Sequence, residues 1–221
     1  KSIVLAMASL LAMGVNAETR KVSSPDGRMQ VSIIAENGTL NYEVSYDGKT
    51  ILQPSSLGLK TDMGDYSQNL TATKWTESKV DETYTMSRTK ASKVNYQANV
   101  MAVEMKSEKC PYTMTVVMQV SNNDIAYKYQ LGGSDNSSKD EPRRATIVSE
   151  TSSFRFPDQT TTFLCPQIGG THQGWMSTKP SYEEEYVIDA PMIDKSKFGL
   201  GYTFPCLFKV RNDGWVLVSE T

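Results

Sequence analysis

Three adjacent carboxylates, Glu183, Glu184 and Glu185, stand directly before Tyr186, and a Gly-containing stretch upstream carries Trp175 and His172, the sole histidine. In a strand, successive side chains alternate between faces, so Glu183 and Glu185 would share one face while Glu184 points the other way. Adjacent carboxylates repel, and without a cation to gather them such a run reads as a solvated strand face. Trp175 follows Gly174; an indole on a loop can stack on a flat ligand face or bury itself in an interface. His172 has no serine, cysteine or second histidine spaced for a triad or a metal cluster, so it reads as a polar loop residue. Trp175 and His172 are the two candidate substrate-binding side chains. Glu150 lies between two apolar runs and reads as a surface residue. Cys110, Cys165 and Cys206 are too few and too widely spaced for a disulfide framework or a zinc site; one pair can bridge, and the spacing does not choose it.

The elements that must hold these side chains are strands. Met29–Ile33 and Leu40–Tyr46 alternate apolar and polar residues around Asn37-Gly38, and Asp47-Gly48 turns the chain again into Lys49–Leu52, ending at Pro54. Asn-Gly and Asp-Gly supply the positive φ angles of tight hairpin turns. Period-two runs rich in β-branched, aromatic and Met residues predict further strands at Tyr84–Ser87, Ala98–Met105, Tyr112–Val120 and Ile125–Leu131. Later strands are expected at Ala145–Val148, Ser152–Phe156, Thr161–Leu164, Tyr182–Ile188, Leu207–Val210 and Trp215–Ser219, with polar loops at Gly132–Arg144 and Pro166–Pro180. No window keeps a helical stripe. Many short antiparallel strands with turn punctuation imply an all-β fold, here a large β-sandwich.

Charge narrows the partners. The chain carries 23 basic and 25 acidic residues for a net charge of −2, interspersed, which leaves no electrostatic footprint for nucleic acid or anionic lipid. At the N-terminus, Lys1 precedes the apolar run Ile3–Gly14 and then Val15-Asn16-Ala17. A positive end, an apolar stretch of about 7–15 residues and small residues at a cut site are the parts of a secretory signal peptide. Residues 1–17 are therefore expected to be a signal lacking its Met, cleaved after Ala17. The run falls short of the ~20 apolar residues that span a bilayer, and no cysteine follows it to take a lipid. Export to the periplasm without a membrane anchor is the expectation. Residues 18–221 then form one sandwich domain, and because the sequence stops at Thr221 in or just after an apolar strand, truncation at the C-terminus is expected.

Three segments carry a family likeness. Ser24–Met29, then Leu40–Lys49, then Pro54-Ser55-Ser56-Leu57-Gly58-Leu59 resemble the opening of the glycoside hydrolases of family 97, in order and in register. Asn122–Tyr129 resembles a later hairpin of that family, and Tyr182–Tyr186 its acidic-aromatic strand. Ile125, Lys128 and the stretch Gly169–Pro180 depart from the family pattern, which bears on substrate more than on fold. The resemblance implies a β-super-sandwich of the galactose-mutarotase kind, packed in the complete enzyme against a catalytic (β/α)8 barrel absent from this sequence. It implies an α-glucosidase or α-galactosidase acting on an α-linked oligosaccharide or polysaccharide, with its catalytic carboxylates on the barrel and none here. It further implies calcium, with Glu185 before Tyr186 as one ligand and the barrel and water completing the six to eight oxygens calcium takes. The other reading is a stand-alone carbohydrate-binding or structural sandwich.

Overall fold

The structure, a computed structural model, describes residues 17–88, 90, 92–110, 112–132, 144–167 and 186–220. Among the described residues fifteen strands run in chain order: β1 (Glu18–Ser23), β2 (Met29–Glu36), β3 (Thr39–Tyr46), β4 (Lys49–Leu57), β5 (Leu59–Thr61), β6 (Gly64–Asp65), β7 (Leu70–Thr85) and β8 (Lys93–Ser107), followed by β9 (Thr113–Ser121), β10 (Ile125–Leu131), β11 (Ile147–Glu150), β12 (Thr160–Pro166), β13 (Val187–Pro191), β14 (Tyr202–Val210) and β15 (Gly214–Val218). They form an N-terminal sheet β1-β2-β3-β4, a central sheet β10-β9-β8-β7, a small sheet β11-β5-β6 and a C-terminal sheet β13-β12-β14-β15. Every pairing is antiparallel. The expected all-β sandwich is what the chain builds.

Alternation makes the core. Val31, Ile33, Leu40, Tyr42 and Val44 point inward from β2 and β3, and Met101, Val103, Met105, Met114, Val116 and Met118 meet them from β8 and β9; all are buried. Burying each such side chain contributes about 1.5–3 kcal/mol. The β2–β3 and β3–β4 connections are two-residue turns in which Asn37, Gly38, Asp47 and Gly48 all have positive φ, as read from the sequence. The C-terminal sheet shares this core through Phe208, Val210 and Val218, with Phe208 stacked on Phe156 at 4.2 Å between ring centroids.

Several sequence boundaries move, among them the start of β14, at Tyr202 rather than Leu207, and the end of β13, at Pro191 rather than Ile188. β4 runs through Pro54 to Leu57, because Pro54 sits at a register shift on a sheet edge, where a missing N–H breaks no ladder bond. The strand expected at Tyr84–Ser87 is the end of β7, whose residues Leu70–Thr85 are exposed along most of their length and so lack a one-sided pattern; pairing with β8 along the full strand holds them. Ser152–Phe156 is an extended segment tied to β4 rather than a strand, with one bridge between Gln53 and Arg155. Finally, β11 falls at Ile147–Glu150 rather than Ala145–Val148, and Glu150 is exposed.

Candidate functional site

β12 and β13 are neighbours, and Leu164 faces Val187 across the ladder. The C-terminal end of β12 and the N-terminal end of β13 therefore lie side by side, and residues 168–185 connect them. His172, Trp175 and the Glu183-Glu184-Glu185 run all lie outside the described residues, as does the expected signal segment up to residue 16. What the structure supplies is the base they spring from. Tyr186 is half exposed there, Pro166 pairs with Tyr202 of β14, and the Gln167 N–H donates to the Gly201 carbonyl at 2.9 Å. Val218 of β15 ends at the same edge, since antiparallel β14 pairs Cys206 with it.

Nothing in the described part is arranged for acid–base or nucleophilic work. No group of three or more His, Cys, Asp or Glu residues able to hold a metal exists among the described residues. The carboxylates with shifted acidity are fastened structurally. The Ser24 hydroxyl holds the Asp26 carboxyl below the usual carboxylate range. The Arg28 guanidinium does the same to Asp47 through bonds of 3.0 and 2.7 Å, and the Lys49 ammonium to Asp213 at 2.7 Å. A glycosidase acid needs the opposite shift, upward toward neutrality. Cys110 and Cys206 are free, buried thiols, so none of the three cysteines is bridged to another.

The motifs that carried the family likeness prove to be fasteners. Asp26 closes its own turn, accepting from the Arg28 N–H, and its N–H donates to Asn122 Oδ1 at 3.0 Å, so the Ser-Pro-Asp-Gly turn is clipped to the Asn-Asn-Asp hairpin. Ser56 Oγ donates to the Thr151 carbonyl and the Ser153 hydroxyl donates or accepts beside it at 2.9 Å. Gly58 has no room for a side chain: a Cβ would meet Thr151 Oγ1 at 2.7 Å and the Tyr66 carbonyl at 2.8 Å. The Gly58 N–H donates to the Tyr129 hydroxyl, which also bonds Ser152. Tyr129 and Tyr127, both half-buried, form a trio with buried Tyr42, and desolvation pushes all three phenols above their ordinary range. These contacts join residues about 70 to 110 apart in sequence, which no local pattern could reveal.

Comparison with known proteins agrees with this architecture. The sequence pattern of the family described as Glycosyl-hydrolase 97 N-terminal matches residues 22–221. A probable retaining alpha-galactosidase of Streptomyces bingchenggensis (strain BCW-1) is 28% identical over 171 residues, which is 74% of this chain and 25% of that protein. The crystal structure of a beta-arabinopyranosidase superposes with a TM-score of 0.82 at 45% identity, covering 91% of this chain and 31% of that one. A family 97 glycoside hydrolase from Pseudoalteromonas sp. strain K8, solved with acarbose, shares the fold at a TM-score of 0.69 and 18% identity, over 87% of this chain and 27% of its own. The chain thus spans about a quarter to a third of the relatives it matches. By a match that runs through nearly all of its sandwich, it belongs to the glycosyl-hydrolase 97 N-terminal family.

Proposed function

We propose that this chain is the N-terminal module of an exported, calcium-dependent glycosidase, in which it shapes the substrate cleft and donates Glu185 to the calcium. The family match carries the reading, and the pairing of β12 with β13, which brings together the strand ends that flank residues 168–185 in sequence, supports it. Calcium supplies a fixed positive charge in hard-oxygen coordination, and a chain offering one carboxylate needs its remaining ligands from elsewhere. The catalytic carboxylates belong to the part of the longer protein outside this sequence, and the apolar run at residues 3–14 directs export to the periplasm.

The relatives sharpen the substrate. A β-L-arabinopyranoside has the ring configuration of an α-D-galactopyranoside without its exocyclic CH2OH, so the two activities named among the relatives address one stereochemistry. The proposed substrate is therefore a galacto-configured glycoside rather than a glucoside. One small group in a pocket discriminates by about 1–3 kcal/mol, roughly 10–200-fold. The whole gene product should hydrolyse both nitrophenyl β-L-arabinopyranoside and nitrophenyl α-D-galactopyranoside, the first faster, with chelation of calcium abolishing both. A preference for the α-D-glucoside, or activity indifferent to chelation, overturns the reading.

A further inference from the structure

The alternation that fills the sandwich with apolar side chains breaks along β7. Directly opposed residues of an antiparallel pair share a face, and Trp75, Glu77 and Lys79 of β7 stand opposite Val103, Met101 and Asn99 of β8. Val103 and Met101 are buried core residues, so Glu77 and Lys79 occupy core-side positions although both are charged and exposed. The reason lies at the sheet edges. β1 and β7 are the end strands of their sheets, and β1 packs on β8, where the Asn99 amide donates to the Ser23 carbonyl at 2.7 Å. Between β1 and β7 lies a cleft of about 450 Å³. Buried Val22 and Met101 give it an apolar floor, Lys21 and Ser23 line it from β1, and Glu77 and Lys79 line it from β7. Trp75, at the next core-side position, is covered by the Arg20 guanidinium, 5.5 Å from its ring centroid.

We infer that this cleft binds a neutral saccharide. Its volume falls in the range of about 300–1,000 Å³ typical of small-molecule sites. Its walls offer both kinds of hydrogen-bonding group: the Lys21 and Lys79 ammoniums only donate, and the Glu77 carboxylate only accepts. Asn99, whose NH2 is committed to Ser23, keeps its carbonyl oxygen as a further acceptor. Among the described residues Lys21, Glu77 and Lys79 enter no ion pair with one another or with any neighbour. A sugar hydroxyl both donates and accepts, so one ring can meet all of these groups while its C–H face lies on Val22 and Met101. An anion would meet Glu77 there, and a cation the two lysines. Inward charges on an edge strand also deter strand addition, but that purpose is met with the long stems laid flat over the apolar floor, which would fill the cleft. The inference builds on the proposed function, which makes the sugar galacto-configured, and gives the module its own hold on a polymeric substrate.

Native electrophoresis of the whole gene product through gels containing galactomannan, a neutral polysaccharide with α-galactosyl branches, tests this. Mobility should fall as the polysaccharide concentration rises. Glu77→Gln and Lys79→Met alter exposed side chains, so both variants should fold, and each should weaken the retention about tenfold through one lost hydrogen bond to a charged group. Unretarded wild-type protein, or variants retained as strongly as wild type, overturns the inference. Retention by polygalacturonate alone, released by salt, also overturns it and assigns the lysines to an anion. Hydrolysis of the nitrophenyl glycosides by the same wild-type preparation separates the two readings. Variant-sensitive retention without hydrolysis sinks the glycosidase proposal alone, and hydrolysis without retention sinks the saccharide cleft alone.

Discussion

The N-terminal half and the C-terminal sheet use the same period-two grammar to opposite ends. In the sandwich of β1–β4 on β7–β10, the inner faces carry the large apolar side chains, and the outer face of β9 and β10 carries Thr115, Gln119, Lys128 and Gln130. The C-terminal sheet adds Phe208, Val210 and Val218 to that same core, while Ile188, Trp215 and Leu217 stand exposed on its other side. The lesson is that burial pattern, rather than strand content, distinguishes the two regions.

The contrast can be broken first at the core. Met118 is fully buried between the two sheets, and Met118→Ala should cost about 2–5 kcal/mol in urea unfolding, because a packed core collapses only partly around a cavity. A loss under ~1 kcal/mol would mean that the sandwich is loosely packed and the contrast unfounded. Next comes the junction of the end of β4 with the Tyr66 turn and the Thr151 segment. Gly58→Ala drives a methyl into Thr151, Tyr66 and Ser67, and should cost about 1–3 kcal/mol as overpacking; a neutral result would show that the junction yields. The smallest effect belongs to the exposed side of the C-terminal sheet. In the 221-residue chain Leu217→Lys should shift stability by no more than about 0.5 kcal/mol, since an exposed side chain loses little on replacement. A core-sized loss there would show the face already covered within this chain.

Legibility followed the same divide. The β2–β3 and β3–β4 hairpins were readable because Asn37-Gly38 and Asp47-Gly48 announce their turns and one face of each strand is buried. β7 was not, because Lys74, Glu77, Ser78, Lys79 and Asp81 are exposed on both sides and pairing with β8, rather than burial, holds them extended. The motifs of the family opening were visible in the sequence, but their role was not. Ser56, Gly58 and Asp26 act on partners far along the chain, and such contacts leave no periodic trace. The site residues Glu185, Trp175 and His172 came from residue type and resemblance, and they lie outside the described residues. For them the structure adds the paired strand ends, not the geometry of the side chains.

Those strand ends have a mechanical consequence. With Leu164 opposite Val187, they are held about 5 Å apart by ladder bonds, and β12 is paired in turn to β14 from Thr160 to Pro166. Phe208, Val210 and Val218 anchor the same sheet in the common core. Pulling the two ends apart therefore means unzipping a ladder whose inner face is buried, and they respond to load as one unit.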